Sequence, residues 1–229
     1  MRSTTLLAVS AALTTTFSLG FALALTPVRP ATVEIVVPGS VIQAIEGIDI
    51  GPDGMIYGTS IHAQAVYRID PDTGFVTVAV PSPYGESDDV AVGPKGTPVE
   101  GLLAWTAQTT GEIRIQRPGG MPEVLMADVP RVNPIAFNKD GRLFTAQSGA
   151  GENALWELDV IGNEPPRLVA KNKGRLNGFG FGPDGRLYAP HFGTNELFAI
   201  DVDTGVFDVI AERVGTTAAT KADANGDVW

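Results

Sequence analysis

Residues 177–188 read NGFGFGPDGRLY: a polar residue, a short apolar strand, a Gly-containing turn and a second apolar strand. Four other stretches follow the same plan, namely EGIDIGPDGMIY (46–57), DDVAVGPKG (88–96), NPIAFNKDGRLF (133–144) and AATKADANGDVW (218–229). Counted back eight residues from the turn glycine, the leading residues of the five copies are Glu46, Asp88, Asn133, Asn177 and Ala218. These positions recur every 41 to 45 residues. A repeat of this length containing four short strands is typical of a β-propeller.

Each complete copy is followed by two further predicted strands, which in the first unit are Ala65–Ile69 and Phe75–Val80. No long stretch after the N-terminal segment shows a helical period. We therefore predict an all-β fold, a six-bladed β-propeller of four-stranded blades, of which this chain covers about four and a half. Because an open stack leaves unpaired strand edges, we expect the sequence to be a fragment, with a propeller domain at 41–229 that is incomplete at the C-terminus. A lead-in segment at 25–40 precedes it, with a strand expected at Val33–Val37.

The N-terminus has the composition of a secretory signal peptide. A mostly apolar run extends from Leu6 to Leu25, and Ala22-Leu23-Ala24 fits an A-x-A cleavage site. We predict a signal peptide at 1–24, cleavage after Ala24, and a secreted or periplasmic protein. The alternative is an uncleaved membrane anchor, which the Thr, Ser and Gly residues in the run disfavour. The mature chain offers no other segment that would span a membrane.

Composition narrows the classes of function. The 229 residues carry 16 Lys and Arg against 26 Asp and Glu, a formal net charge of −10, which disfavours nucleic acid as a partner. The chain has no cysteine, so neither a thiolate nucleophile nor a cysteine zinc site is available. Its two histidines, His62 and His191, are too far apart for a recognisable zinc motif. Each histidine follows a predicted second strand. The sequence is consistent with three roles there: a general base, a substrate contact or an ordinary surface-loop residue.

The leading positions predict a binding site. In a propeller the innermost strands surround a central channel, so Glu46, Asp88, Asn133 and Asn177 can form an arc of oxygen donors at one mouth. Two carboxylates and two amide carbonyls are hard ligands of the kind that calcium prefers. Magnesium or manganese would also suit them, and the sequence does not choose between these ions. The alternative is that these polar residues cap strands or join neighbouring blades.

The same positions resemble those of the gluconolactonase, regucalcin and senescence-marker-protein family, over 41–229. Glu46-Gly47 is similar to the Glu that opens the first inner strand there, and Asn177-Gly178 is similar to a later Asn-Gly pair. Arg131-Val132-Asn133 is similar to the family's substrate-side Arg-x-Asn motif. The resemblance implies that Glu46, Asn133 and Asn177 hold a divalent metal. It also implies that Arg131 and Asn133 bind the substrate.

The chain departs from the family pattern in three places. Arg175-Leu176-Asn177 repeats the Arg-x-Asn spacing, so this motif is weakly specific, and Pro134 stands where the family usually has Asp. The last protein ligand of the family, an Asp that is also the presumed general base, falls here on Ala218. We therefore assign the role of general base to Asp88, the carboxylate at the equivalent position of another copy.

Three hypotheses of function follow. The first is an exported, calcium-dependent hydrolase of small-molecule lactones or other carboxylic esters, of the gluconolactonase type. The second is a non-catalytic propeller, similar to NHL-type repeats, that binds a ligand or a partner protein. The third is a strictosidine-synthase-like enzyme. The sequence leaves open whether the protein is an enzyme, what its natural substrate is and how it oligomerises.

Overall fold

The computed structural model of the protein describes residues 32–39, 42–162 and 164–229. The predicted signal peptide at 1–24 therefore lies outside the described residues, as does half of the lead-in at 25–40. Residues 32–39 form no strand, so the predicted strand Val33–Val37 is wrong. Alternating apolar residues favour a strand only where a partner strand satisfies the backbone, and these residues have no strand partner.

In the described part of the chain, sixteen strands form four antiparallel sheets, each with its strands in sequence order. The first sheet contains β1 (Ile48–Ile50), β2 (Ile56–Ser60), β3 (Ala65–Ile69) and β4 (Val76–Val80). The second contains β5 (Val90–Val92), β6 (Leu103–Ala107), β7 (Glu112–Gln116) and β8 (Glu123–Met126). The third contains β9 (Val132–Phe137), β10 (Leu143–Gln147), β11 (Leu155–Leu158) and β12 (Arg167–Ala170). The fourth contains β13 (Gly180–Phe181), β14 (Leu187–Pro190), β15 (Glu196–Asp201) and β16 (Val206–Glu212).

These sheets are the blades of a β-propeller, which confirms the predicted all-β fold of four-stranded units. The fifth copy begins a further unit: Gly178 pairs with Ala219 in a parallel bridge, and Ala222 pairs with Val228 in an antiparallel one. The total of six blades stays a prediction. None of the described residues forms a helix with the length and hydropathy needed to cross a bilayer.

The turn between the first two strands of each unit explains why the repeat is so regular. Its glycine has a φ between +77° and +84° in all five copies, at Gly54, Gly96, Gly141, Gly185 and Gly226. Residues with a side chain rarely adopt this left-handed conformation, whereas glycine does so without steric cost. The turn therefore sets the register of the two inner strands, and the alignment based on these glycines is structurally correct.

The hydrophobic core lies between the blades. One cluster, which includes Val66 and Trp105, joins the first blade to the second. A second cluster, which includes Ile113 and Leu143, joins the second blade to the third. A third, which includes Phe144, joins the third blade to the fourth. Because burial of each large side chain contributes about 1.5–3 kcal/mol, neighbouring blades stabilise one another.

Candidate functional site

The leading residues occupy equivalent positions in the backbone, just before or within the inner strands. In three copies the leading N–H donates to the carbonyl at the end of the blade's second strand. These bonds are Glu46 to Thr59 at 3.1 Å, Asp88 to Thr106 at 2.9 Å and Asn177 to Pro190 at 3.1 Å. These three leading residues therefore have equivalent backbone positions in their blades, at the same end of the inner strands.

Two buried threonine hydroxyls hold leading residues across blade boundaries. Thr59 of the first blade donates from Oγ1 to the carbonyl oxygen of Asp88 at 2.7 Å. Thr106 of the second blade donates in the same way to the carbonyl of Asn133 at 2.6 Å. Each hydroxyl also accepts a backbone N–H, from Gly47 at 2.8 Å and from Asp89 at 3.1 Å. Each of these two leading residues is thus fixed by the preceding blade.

The glycines after Glu46 and Asn177 serve blade packing. A Cβ on Gly47 would lie 2.6 Å from the Cα of Asp89 and 2.8 Å from the carbonyl oxygen of Asp88. A Cβ on Gly178 would meet Ala219 Cβ at 2.7 Å and the carbonyl oxygen of Ala218 at 3.0 Å. Contacts this short exclude any side chain. The Glu-Gly and Asn-Gly pairs therefore have a structural explanation that is independent of metal binding.

Asp88 and Asn133 form the centre of the site. The side-chain amide of Asn133 donates to Asp88 Oδ1 at 3.0 Å, and Gln108 Nε2 donates to Asp88 Oδ2 at 2.7 Å. Asn133 is only 8% exposed, and its Oδ1 has no hydrogen-bond donor. Since buried polar atoms are normally paired, an unpaired amide oxygen here indicates a position where a ligand or ion can bind.

The charge around Asp88 is unbalanced. The pKa of the Asp88 carboxyl is raised to about 7, chiefly by burial and then by the negative charges of Asp89, Glu46 and Glu86, in that order. Arg131 opposes this effect as the least of these causes. A carboxyl that titrates near neutral pH can accept a proton from a reacting group.

The other predicted site residues differ in their exposure and in their contacts. Glu46 is exposed, and its charge acts on Asp88. Arg131 is exposed and has a left-handed φ of 59°, with Nε 3.4 Å from the carbonyl of Ser148. Asn177 is half-buried, and its Oδ1 accepts the N–H of Gly178 at 2.9 Å. In the described part of the chain, no hydrogen bond joins the Asn177 side chain to Glu46, Asp88 or Asn133.

Neither histidine joins the group around Asp88. His62 is exposed in the turn after β2. The half-buried ring of His191 lies 3.1 Å from two backbone nitrogens, those of Arg175 and Thr194. These contacts give His191 a local structural role in its loop.

Sequence reasoning missed a charged cluster deeper in the channel. Asp49 Oδ2 accepts the N–H of Val92 at 2.8 Å, and Asp89 Oδ2 accepts the N–H of Ile135 at 3.1 Å. Burial raises the pKa of both carboxyls, and the positive charge of Lys221 opposes this rise.

Lys221 and Asp49 both stand three residues after a leading position. The three intervening copies have Ala91, Ala136 and Gly180 there. These small residues leave room for the two charged side chains. That comparison across copies is the signal that could have identified the pair.

A large cavity lies at the other end of the inner strands. Its volume is about 1310 Å³, and its lining includes Phe137, Phe181, Arg142, Arg186 and Lys221. Most of its lining comes from the far ends of the inner strands and the turns beyond them. Asp88 and Asn133 do not contribute to it, so this cavity and the unpaired oxygen of Asn133 lie at different ends of the inner strands. We place the candidate site at the polar mouth because unpaired buried oxygens require a chemical explanation.

The donor set at the polar mouth fits a hard divalent cation. The unpaired Oδ1 of Asn133 and the surplus negative charge around Asp88 are both properties of an oxygen-ligand site. The described residues contain no group of three or more Asp, Glu, His or Cys side chains placed to hold a metal. Any cation here would therefore rely on amide oxygens as well as carboxylates.

The four four-stranded blades define the class of the protein, a β-propeller. No protein-family model and no curated protein matches the chain. Solved structures do match it, at identities that establish the fold alone.

A gluconolactonase from Xanthomonas campestris matches with a TM-score of 0.64 at 16% identity, covering 81% of this chain and 68% of that one. A propeller chain from a nidogen/laminin complex matches with a TM-score of 0.67 at 19% identity, covering 78% of this chain and 68% of that one. Virginiamycin B lyase from Staphylococcus aureus matches with a TM-score of 0.62 at 14% identity, covering 81% of this chain and 62% of that one. The chain thus spans about two thirds of the length of these structures.

Proposed function

We propose that the protein is an exported, divalent-cation-dependent hydrolase of lactones or other carboxylic esters. The observation that carries the proposal is the Asp88–Asn133 pair. A carboxyl with a pKa raised to about 7 lies beside a buried amide oxygen that has no donor. The fold that the chain shares with a gluconolactonase supports this class of reaction.

In this proposal Glu46, Asn133 and Asn177 hold the cation, with calcium as the first choice. A bound divalent cation would supply Lewis acidity toward the ester carbonyl. Asp88, in its ionised form, takes a proton from the attacking water. Arg131 orients the substrate, since its exposed guanidinium can donate to oxygens of the substrate. Gln108 and Asn133 fix the Asp88 carboxylate through their side-chain amides.

A second candidate is a non-catalytic propeller that binds a ligand or a partner protein. Ala218 is the observation that favours it. Its carbonyl lies against Gly178 as that of Asp88 lies against Gly47, which supports the alignment of the two positions and leaves the fifth copy without a leading carboxylate. The similarity to a propeller from a nidogen/laminin complex is consistent with a binding role.

Calorimetric titration of the protein with CaCl₂ tests the cation site, with Glu46→Gln and Asn177→Ala as variants. Asn225→Ala is a matched control, because its amide lies in the turn of the fifth copy at the far end of its inner strand. We expect the wild type and the control to bind calcium and the two site variants to bind it more weakly. Equal, negligible binding in all four proteins would refute the site.

Hydrolysis assays with simple lactones and aryl esters then separate the two candidates. We expect turnover that depends on calcium and is lost in Asp88→Asn. Calcium binding without turnover would favour the binding protein. Mass determination of the exported protein checks for removal of residues 1–24.

A further inference from the structure

Glu86 is a buried carboxylate without a full set of partners. It is 4% exposed and lies in the loop that leads into the inner strand of the second blade. Its Oε1 accepts the N–H of Thr109 at 3.3 Å, and its Oε2 has no donor. A buried carboxylate oxygen without a partner is strongly unfavourable, because the charge has lost its hydration and gained nothing in exchange.

Glu86 lies beside Asp88. The turn between β6 and β7 binds both carboxylates through consecutive residues, Gln108 donating to Asp88 at 2.7 Å and Thr109 donating to Glu86 at 3.3 Å. The charge of Glu86 is also among those that act on Asp88. In the residues that the structure describes, no lysine, arginine or histidine forms an ion pair with either carboxylate. Only the distant charge of Arg131 acts against these two neighbouring negative charges, so they are at most partly compensated.

A second unpaired oxygen belongs to the same group. The Nδ2 of Asn133 donates a hydrogen bond to Asp88, and the Oδ1 of Asn133 is buried without a donor. Glu86 and Asn133 are each more than nine-tenths buried, and both are coupled to Asp88. Two carboxylates and an amide oxygen are ligands that match a hard divalent cation in type and balance it in charge.

We infer that Glu86 is a cation ligand, acting with Asp88 and Asn133 at the boundary between the second and third blades. The inference rests on the proposed function. It identifies the carboxylate that compensates for Ala218 in the fifth copy. In this arrangement the second blade contributes two carboxylates to the site through Glu86 and Asp88.

Calcium titration of Glu86→Gln tests the inference, together with thermal unfolding in EDTA. Glu112→Gln is the control, since Glu112 lies on β7 in the same blade and is paired with Arg114. We expect Glu86→Gln to weaken calcium binding by at least about tenfold, the range that even outer-shell partners of a metal ligand contribute. We also expect it to unfold at a higher temperature than the wild type in EDTA, because one buried negative charge has been removed. Glu112→Gln should leave the affinity unchanged and should not raise the unfolding temperature.

Glu86→Asp provides a second test that keeps the charge. We expect it to fold and to bind calcium with an affinity between those of the wild type and Glu86→Gln. Wild-type affinity in both Glu86 variants, with loss of binding in Glu46→Gln and Asn177→Ala, would overturn the inference and leave the proposed site intact. Loss of calcium binding in Glu86→Gln, with binding retained in Glu46→Gln and Asn177→Ala, would support the inference and overturn Glu46 and Asn177 as ligands. Absence of calcium binding in the wild type would overturn both.

Discussion

The side-chain amide of Asn133, in the third blade, donates a hydrogen bond to the carboxylate of Asp88, at the entrance to the second blade, over 3.0 Å. This bond orients the Asn133 amide so that its carbonyl oxygen lies free in a buried position. It also holds the Asp88 carboxylate at a blade boundary, where burial raises its pKa to about 7. One contact thus links a candidate ligand to a candidate base.

The raised pKa of Asp88 predicts that stability falls as the pH rises. Between its ordinary value of 3.8 and about 7 the folded protein holds the proton more tightly than the unfolded chain. Its contribution is therefore most favourable below about pH 4 and is lost as the pH rises to 7. We expect Asp88→Asn to reduce the difference in unfolding free energy between pH 4 and pH 8 by on the order of 2–4 kcal/mol. Urea unfolding in EDTA at several pH values measures this, and parallel curves for wild type and variant would contradict it.

Removal of one hydroxyl should weaken both the fold and the site. Thr106→Val leaves the carbonyl of Asn133 and the N–H of Asp89 without their partner while preserving shape. We expect a loss of about 1–3 kcal/mol in unfolding free energy, together with weaker calcium binding. Thr77→Val is the control, because that hydroxyl donates to Arg68 at the surface. A Thr106 variant as stable as the control would show that this bond does not hold the two blades together.

Gly47 should not tolerate a side chain. Gly47→Ala places a methyl group 2.6 Å from the Cα of Asp89, so the second blade must move outward, at a cost of about 1–3 kcal/mol. Gly58→Ala is a matched control in the neighbouring strand, where the nearest atom to the new methyl would be 3.6 Å away. Thermal unfolding of both variants measures the difference. Equal midpoints would mean that the blade boundary is more adaptable than its close contacts indicate.

Lys221 should be most important at high pH. Lys221→Met removes the positive charge that favours ionisation of Asp49 and Asp89, and it removes the bond from Nζ to the carbonyl of Phe179 at 3.2 Å. Because the two carboxylates are then uncompensated, we expect a loss of about 3 kcal/mol at pH 8. The loss should be smaller at pH 5, because the raised pKa values of both carboxyls bring them closer to their neutral forms as the pH falls. Chemical unfolding at the two pH values tests this, and Lys173→Met, which removes an exposed lysine, should show little change at either pH.

The fold could be predicted because its determinants are local and recur. Each turn glycine adopts a conformation that other residues avoid, and that constraint recurs at Gly54 and its four equivalents. The strand Ala65–Ile69 was predicted with its observed boundaries, since alternation and the Asp-Thr-Gly turn after it both mark its end. The predicted strand at Val33–Val37 does not form, because strand propensity does not reveal whether a partner strand exists.

The site was only partly predictable. Asp88 and Asn133 were found because they hold equivalent positions in the repeat, and the structure brings them into contact. Glu86 was missed because it stands two residues before a leading position, where two other copies have Arg131 and Arg175, so the repeat gives no sign of a carboxylate there. Lys221 was missed because its partner Asp49 is four copies away in sequence and is close only after the blades curve around the channel.

The hydroxyls of Thr59 and Thr106 have a consequence for how such a protein could be recombined. The first two blades each carry the threonine that binds the leading residue of the next blade, so Asp88 and Asn133 are held at boundaries between blades and by no single repeat. Exchanging the second blade with that of a relative would alter two boundaries at once. One is the boundary where Thr59 binds its leading residue Asp88, and the other is the boundary where its own Thr106 binds Asn133. Chimeras should therefore preserve the polar mouth only when cut points fall within a blade, so that each threonine travels with the strand it holds.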